Sequence, residues 1–489
     1  MSQAVRKLKP KALWNYFADL NAIPRPSKKE ARVIRFIQDF GKQLGYETIT
    51  DKAGNVIIRK PGARGLEDRT PVILQAHLDM VTQKNADTDF DFDTMGIRMY
   101  VEDGKVKAQG TTLGADNGIG VAAIMAILAD KKSPFPPIEA LFTVDEETGM
   151  TGAFALKPGL LTGDVLLNLD SEDETEMTIG CAGGVDVTAT ARYKPAPMPK
   201  RTRFVTMRLA VKGLKGGHSG MDIHRGRANA NKLMARLLLE LGEKVTLRLH
   251  SFDGGSLRNA IPREAFAVVS LPGGSETTFL EALRQWTETI QSEYQATDPD
   301  LTVTATRRRR AGQAMAPKDQ WRWIRALMAC PNGIYRLSPT VPDLVQTSNN
   351  LARVAIQSGR IKVECLTRSA VDTEKMDCAR AVRSAFELAG AAVRFSGAYP
   401  GWAPKPDADI NALLAKIYKK KYGKRPHITA CHAGLECGIL KKAYPDVDMI
   451  SFGPNIGGAH SPDEYVEIES VARFFDLLQE TLIQLGRRR

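Results

Sequence analysis

PVILQAHLD, residues 71–79, is an apolar run that ends on two polar side chains, His77 and Asp79. A run this apolar reads as a strand buried on both faces, the habit of strands inside a parallel sheet. The form recurs in NVII at 55–58, IEALFTV at 138–144 and VLLNL at 165–169. Between residues 79 and 138 lies GIGVAAIMAILAD, 118–130, apolar nearly all round, as a buried helix is. Upstream, Ser27 and Glu30 have the spacing of an S-x-x-E capping box. Val33, Phe36, Ile37, Phe40 and Leu44 follow at helical intervals, so the spacing predicts an amphipathic helix over 28–45. Buried strands alternating with helices predict an α/β fold with a mostly parallel sheet.

From about residue 205 the texture changes. FVTMRLAV, VTLRLHSF and EAFAVVSL alternate in the manner of half-buried antiparallel strands, with helical stretches near 227–241 and 277–294, so an α+β unit is expected. A faint echo runs through it, from RNAIPREAFAVVSL to SNNLARVAIQSGRIKVECL, offset by about ninety residues. After Tyr399-Pro400-Gly401-Trp402 the α/β texture returns, with a helix near 410–421 and the strand DMISF at 448–452. The expectation is a first domain in two parts, 1–187 and 400–489, interrupted by an inserted domain at 188–399. A string of three domains is the alternative.

The chain's 489 residues exceed what one core serves. The N-terminus has basic residues but no apolar segment with a cleavage site. No apolar run reaches the roughly 18 residues of a membrane span, so a cytoplasmic location without membrane attachment is expected. Six scattered cysteines with no C-x-x-C pair suit reduced thiols. The net charge of +12 comes partly from Arg307 to Arg310 and Arg487 to Arg489. Neither run carries aromatic interleaving or a nucleic-acid motif, and both read as solvated surface.

The chemistry sits at strand ends. His77 and Asp79, two apart on a strand, share a face, and Asp79 is placed to hold the imidazole's second nitrogen. Gly114-Ala115-Asp116-Asn117-Gly118 delivers Asp116 ahead of the buried helix, Glu146 and Glu147 close the third strand, Asp170 follows VLLNL, and His460 follows DMISF. Singly, each has a plain alternative: a hydrogen-bonded core histidine, an N-cap carboxylate, paired surface glutamates. Together they are metal-type side chains at the ends of strands, where open α/β sheets place ligands. Two imidazoles and three carboxylates suit zinc, cobalt or manganese, one carboxylate bridging two ions.

HLDM, TTLGADNGIG, EETG, NLDSE, KGGHSG, LRNAIP, HAGLECG and GPNIGGAHSPDE together resemble the M20 metallopeptidases, within them the branch of dipeptidases acting on aminoacyl-histidine substrates. The resemblance covers nearly the whole chain, with no departure at the positions named here. It implies a zinc-peptidase-type catalytic domain interrupted by a lid domain. His77 and Asp170 would hold one metal, Glu147 and His460 the other, and Asp116 would bridge them, followed by a cis peptide to Asn117. Glu146 would be general base and Asp79 the orienter of His77. From the lid, His218 and Asn259 would donate to the scissile carbonyl and Arg368 would grip a free carboxylate. The implied cofactors are two divalent ions, Zn2+ ahead of Co2+ or Mn2+. The implied substrate is a dipeptide such as β-alanyl-histidine. Homodimers are usual in the family, and a doubled lid would instead complete the site within one chain. A tripeptidase, a deacylase, a desuccinylase and a basic binding protein without catalysis are the rival readings. His432 and Glu436, near Cys431 and Cys437, read as one face of a helix start rather than a zinc cluster.

Overall fold

The structure, a computed structural model, describes residues 3–200, 202–309 and 312–487; Arg310, Arg488 and Arg489 of the two arginine runs lie outside them. The chain divides into two compact units, one of Met1–Gly180, Pro404–Ala430 and Leu435–Arg489, the other of Cys181–Ala403 with Cys431–Gly434. The interrupted arrangement is the one expected. Residues 187 and 188, the expected first boundary, fall inside a strand of the second unit, Gly183–Arg192, because that strand carries on the insert's own sheet.

In the first unit, β1 (Glu47–Thr50), β2 (Val56–Lys60), β3 (Val72–His77), β4 (Ile138–Thr143), β5 (Val165–Asn168) and β6 (Glu176–Cys181) precede the insert. The second unit contributes β7 (Gly183–Arg192), β8 (Phe204–Lys212), β9 (Arg248–Gly254), β10 (Ala265–Pro272), β11 (Thr302–Arg308), β12 (Val345–Gln357), β13 (Arg360–Ser369) and β14 (Ala392–Tyr399). β15 (His427–Cys431) and β16 (Asp448–Ser451) then complete the first sheet, whose order is β1-β2-β4-β3-β5-β16-β6-β15. Its centre, β4-β3-β5-β16, is parallel, with antiparallel strands outside. Every residue of β3 and β4 is buried, which is why their sequences do not alternate.

Two helices matter for the site. α1 (Ala31–Leu44) buries Val33, Ile37 and Phe40 and ends at Gly45, whose φ of 76° favours a residue without a side chain. The capping box is corrected here: α1 starts three residues later than expected, and Ser27 and Glu30 make no side-chain cap. Their polar groups are engaged elsewhere, Ser27 on Asp79 and Glu30 on the backbone N–H groups of Lys28 and Asp145. α2 (Ala115–Ala129) is buried almost throughout and breaks helical geometry at Asp116 and Asn117, joined by a cis peptide.

The second unit is a nine-stranded sheet, all of whose registered pairings are antiparallel, ordered β11-β8-β10-β9-β12-β13-β7-β14, with Gly333–Leu337 also paired to β12. Four helices, α3 (Ala230–Lys244), α4 (Glu276–Tyr294), α5 (Pro317–Ala329) and α6 (Asp372–Glu387), supply buried side chains to its core. The sequence echo becomes architecture. β8-α3-β9-β10-α4-β11 and β7-α5-β12-β13-α6-β14 run through the same element order, and the two quartets meet at β9 and β12. No helix among the described residues is long and apolar enough to cross a membrane.

Candidate active site

At the carboxyl ends of the central strands the first unit gathers all five expected ligands. Asp116 turns one oxygen to each imidazole: Oδ1 is 3.0 Å from His77 Nε2 and Oδ2 is 3.1 Å from His460 Nε2. His77 Nε2 is also 3.4 Å from Asp170 Oδ1, and His460 Nε2 is 3.1 Å from Glu147 Oε2. Among these five ligands two donor groups result, His77/Asp116/Asp170 and Asp116/Glu147/His460, each with its donor atoms within 4.8 Å of one another and sharing only Asp116, while His77, Glu146 and Glu147 form a third, overlapping group.

The strands' direction makes this possible. β3, β4 and β5 are parallel neighbours, so His77, the Glu146-Glu147 turn and Asp170 leave the sheet at the same edge. Asp145, at φ 54°, turns the chain out of β4, its carboxylate taking the hydroxyls of Thr148 and Thr151. His460 arrives from the last part of the chain, itself at φ 62°.

A second layer holds these groups. Asp79 accepts from the backbone N–H of Glu146 at 3.0 Å and of Glu147 at 3.2 Å, and from the Ser27 hydroxyl at 2.8 Å. Its Oδ1 is 3.3 Å from His77 Nδ1, close enough for an ion pair but outside hydrogen-bond geometry. Glu464, buried, accepts from the N–H groups of Leu113, Gly114, Ala115 and Asp116, fixing the loop that presents Asp116. The buried Arg25 guanidinium donates to the carbonyls of Leu78, Asp79 and Gly114, tying that loop to the end of β3. Below the ligands, Gln75 and Thr143 both donate to Glu436 Oε2 at 2.7 Å, and Asn168 donates to Gln75 Oε1. This buried chain crosses β4, β3 and β5 at their ligand-bearing ends.

Sequence reasoning did not assign roles to Glu464, Arg25 or Gln75. Glu464 lies four residues after His460, and a carboxylate so near a ligand is the one signal that pointed to it. His432 and Glu436 do not share a helix face: α7 (Glu436–Ala443) begins at Glu436, while His432 precedes it and belongs to the second unit.

The electrostatics are those of a cation site. Burial alone would lower the His77 pKa, but Asp170, Asp116 and Asp79 outweigh it and raise it well above the usual range. Hydrogen bonds to Asp116 and Glu147 raise His460 to about 11. Burial lifts Asp170 to about 6, and burial with neighbouring Asp170, Glu436 and Glu147 lifts Glu146 well above an ordinary carboxyl. Imidazoles that bind protons this firmly mark a strongly negative locus, where divalent ions would displace the protons. Glu147 Oε1 is buried without a hydrogen-bond partner, and the donors are imidazoles and carboxylates. The residues therefore fit a pair of divalent ions.

The second unit brings together another set. His218 pairs with Ala260 in a short ladder, and Ser219 N–H donates to the Asn259 carbonyl, so His218 and Asn259 adjoin, Asn259 being exposed. His218 Nδ1 accepts from the N–H groups of Gly220 and Met221, at 3.2 and 3.0 Å. That network assigns the ring proton to Nε2. Arg368 Nη2 lies 3.4 Å from the same Nε2, so two donors stand side by side, an arrangement suited to neighbouring oxygen acceptors. Burial and Arg368 lower the His218 pKa, keeping the ring neutral. Arg368 is 4% exposed, and its polar contacts, Tyr399 Oη, Ser219 Oγ and His218, are all neutral. A buried guanidinium whose direct polar contacts are neutral is suited to an anion.

The model of peptidase family M20/M25/M40 matches residues 73–484. The chain is 43% identical over 479 residues to the cytosol non-specific dipeptidase of Escherichia coli K12, covering 98% of each. The crystal structure of aminoacylhistidine dipeptidase from Vibrio alginolyticus matches with a TM-score of 0.94 at 45% identity, covering 99% of both chains. Aminopeptidase PepT from Bacillus cereus matches with a TM-score of 0.58 at 16% identity, over 98% of this chain and 100% of that one, a likeness of fold alone. The chain belongs to peptidase family M20/M25/M40 and is a peptide-bond hydrolase.

Proposed function

We propose that the chain is a two-metal dipeptidase acting on dipeptides with a free C-terminal carboxylate. The observation that carries this is Asp116, whose two oxygens face the imidazoles of two separate three-donor groups. His77 and Asp170 would hold one ion, Glu147 and His460 the other, and Asp116 would serve both; the donor set suits Zn2+ first, Co2+ or Mn2+ otherwise. When bound, such a pair activates water and polarises the peptide carbonyl.

The chain's own groups do the rest. Glu146 takes the proton of the attacking water and returns it to the leaving amine, and the burial that raises its proton affinity suits a general base. Asp79 orients His77 and anchors the turn that carries Glu146 and Glu147. From the insert, His218 Nε2–H and Asn259 donate to the carbonyl oxygen as charge develops there, and Arg368 grips the terminal carboxylate. Gripping that group limits what lies beyond the cleaved bond to one residue. In this reading the insert is a lid. Xaa-His dipeptides such as β-alanyl-histidine, a cytoplasmic location and a homodimer complete the proposal, supported by the names of the two close relatives and by family habit.

The test is metal analysis with a panel of dipeptides, tripeptides and acylated amino acids. Two ions per chain and cleavage of dipeptides above the others are expected. Full dipeptidase activity after verified metal removal, or preference for another class, overturns the proposal.

A further inference from the structure

The register of the insert's sheet sets three residues in a row. Gly184 on β7 is the partner of Arg368 on β13 at one side and of Tyr399 on β14 at the other. Residues paired across adjacent strands point to the same face, so the guanidinium and the phenol share a face two strands apart, with a glycine between. A shift of register between Ser396 and Tyr399 sets this partnership.

Two strand spacings are about 10 Å, a gap that an arginine and a tyrosine close only by reaching toward each other. The glycine permits it. A Cβ at residue 184 would lie 2.5 Å from Tyr399 Cε1 and 2.6 Å from its Cζ and Oη, so the ring lies directly over the bare backbone. Arg368 Nη1 then donates to Tyr399 Oη at 2.8 Å. A phenol oxygen that accepts from a guanidinium keeps its own O–H to give. Arg368 itself is buried among neutral partners, and His218 adds a further N–H beside Nη2.

We infer that Tyr399 is a specificity-determining residue for the substrate's terminal carboxylate. Its hydroxyl fixes the guanidinium through Nη1 and donates its own proton to the same anion. Gly184 is the position that lets it do so. This rests on the reading of Arg368 as the carboxylate's partner and adds a second donor with its own structural cause.

The experiment is steady-state kinetics of Tyr399→Phe, with Arg368→Lys alongside, on β-alanyl-histidine and its C-terminal amide. For Tyr399→Phe the KM of the free acid should rise about ten- to a hundredfold, as for loss of a hydrogen bond to a charged group, with kcat within about twofold and the amide changed less than about twofold. Gly184→Ala, folded as judged by its circular dichroism, should give the same acid-against-amide split by pushing the ring aside. If Arg368→Lys weakens the acid selectively while Tyr399→Phe leaves the acid-to-amide ratio unchanged, the inference is overturned and the Arg368 reading stands. A Tyr399→Phe effect on kcat, alike for both substrates, assigns Tyr399 a structural role and also overturns it. If Arg368→Lys depresses both substrates equally, the Arg368 reading falls and takes this inference with it.

Discussion

The metal-type set and the substrate-type set are built by opposite means. In the first unit, functional groups sit beyond the ends of parallel strands, and most are carboxylates in excess of their imidazole partners. In the insert they come from within an antiparallel sheet and from short ladders beside it, and the direct polar contacts of the Arg368 guanidinium are neutral side chains. One region concentrates negative charge and suits cations; the other holds a buried guanidinium whose direct polar contacts are neutral and, in the proposed function, takes an anion. A hydrolase of small peptides needs both kinds of incompleteness, one for the bond to be broken and one for the end of the chain.

This contrast can be broken most directly at Asp116. Asp116→Ala should remove both ions and lower turnover by more than about 10³-fold. Metal content by emission spectroscopy checks it, and an insert variant that lost metal in the same way would erase the distinction between the regions. Next comes Glu146→Gln, which should keep two ions yet lower kcat by about 10²–10⁴, whereas Glu147→Gln should lose one ion; a reversed stoichiometry exchanges the two roles. Glu436→Gln probes the layer beneath the ligands. Metal affinity, read by competition with a chromogenic chelator, should fall about ten- to a hundredfold, and unchanged affinity would make the Gln75–Glu436–Thr143 chain a packing feature alone. Smallest is Ser27→Ala, which removes one of the donors to Asp79. An effect of about tenfold or less on kcat is expected from one hydrogen bond of about 0.5–1.5 kcal/mol, and a larger one would promote Ser27 to an essential support.

Much of this was legible in the sequence because burial leaves a plain trace. PVILQAHL and IEALFTV lack alternation since both faces of β3 and β4 are covered, and a charged residue just after such a run has to be functional or partnered. The support layer was not legible, for a physical reason. Glu464, Arg25 and Glu436 act on backbone groups and side chains that lie far away along the chain, and no local periodicity records such a partnership. Ser27 and Glu30 show the converse: their spacing matched a local motif, but tertiary partners at Asp79 and Asp145 claimed both side chains. Tyr399 was visible only as part of a boundary, since its meaning lies in being the register neighbour of Gly184.

The interrupted first unit has a consequence for the order in which the protein is made. His77, Asp116, Glu147 and Asp170 leave the ribosome together with their strands, but His460 and Glu464 follow about 290 residues after Asp170. At about 5–20 residues per second, that is a delay of roughly 15–60 s. During it the nascent chain displays a half-built ligand cluster with one imidazole, while the insert, continuous in sequence from Cys181 to Ala403 save for Cys431–Gly434, can fold on its own schedule. The candidate metal site is therefore completed late in synthesis, and the stretch from 404 onward, whose last helix packs into the first unit's core, is the closing segment that supplies its second imidazole.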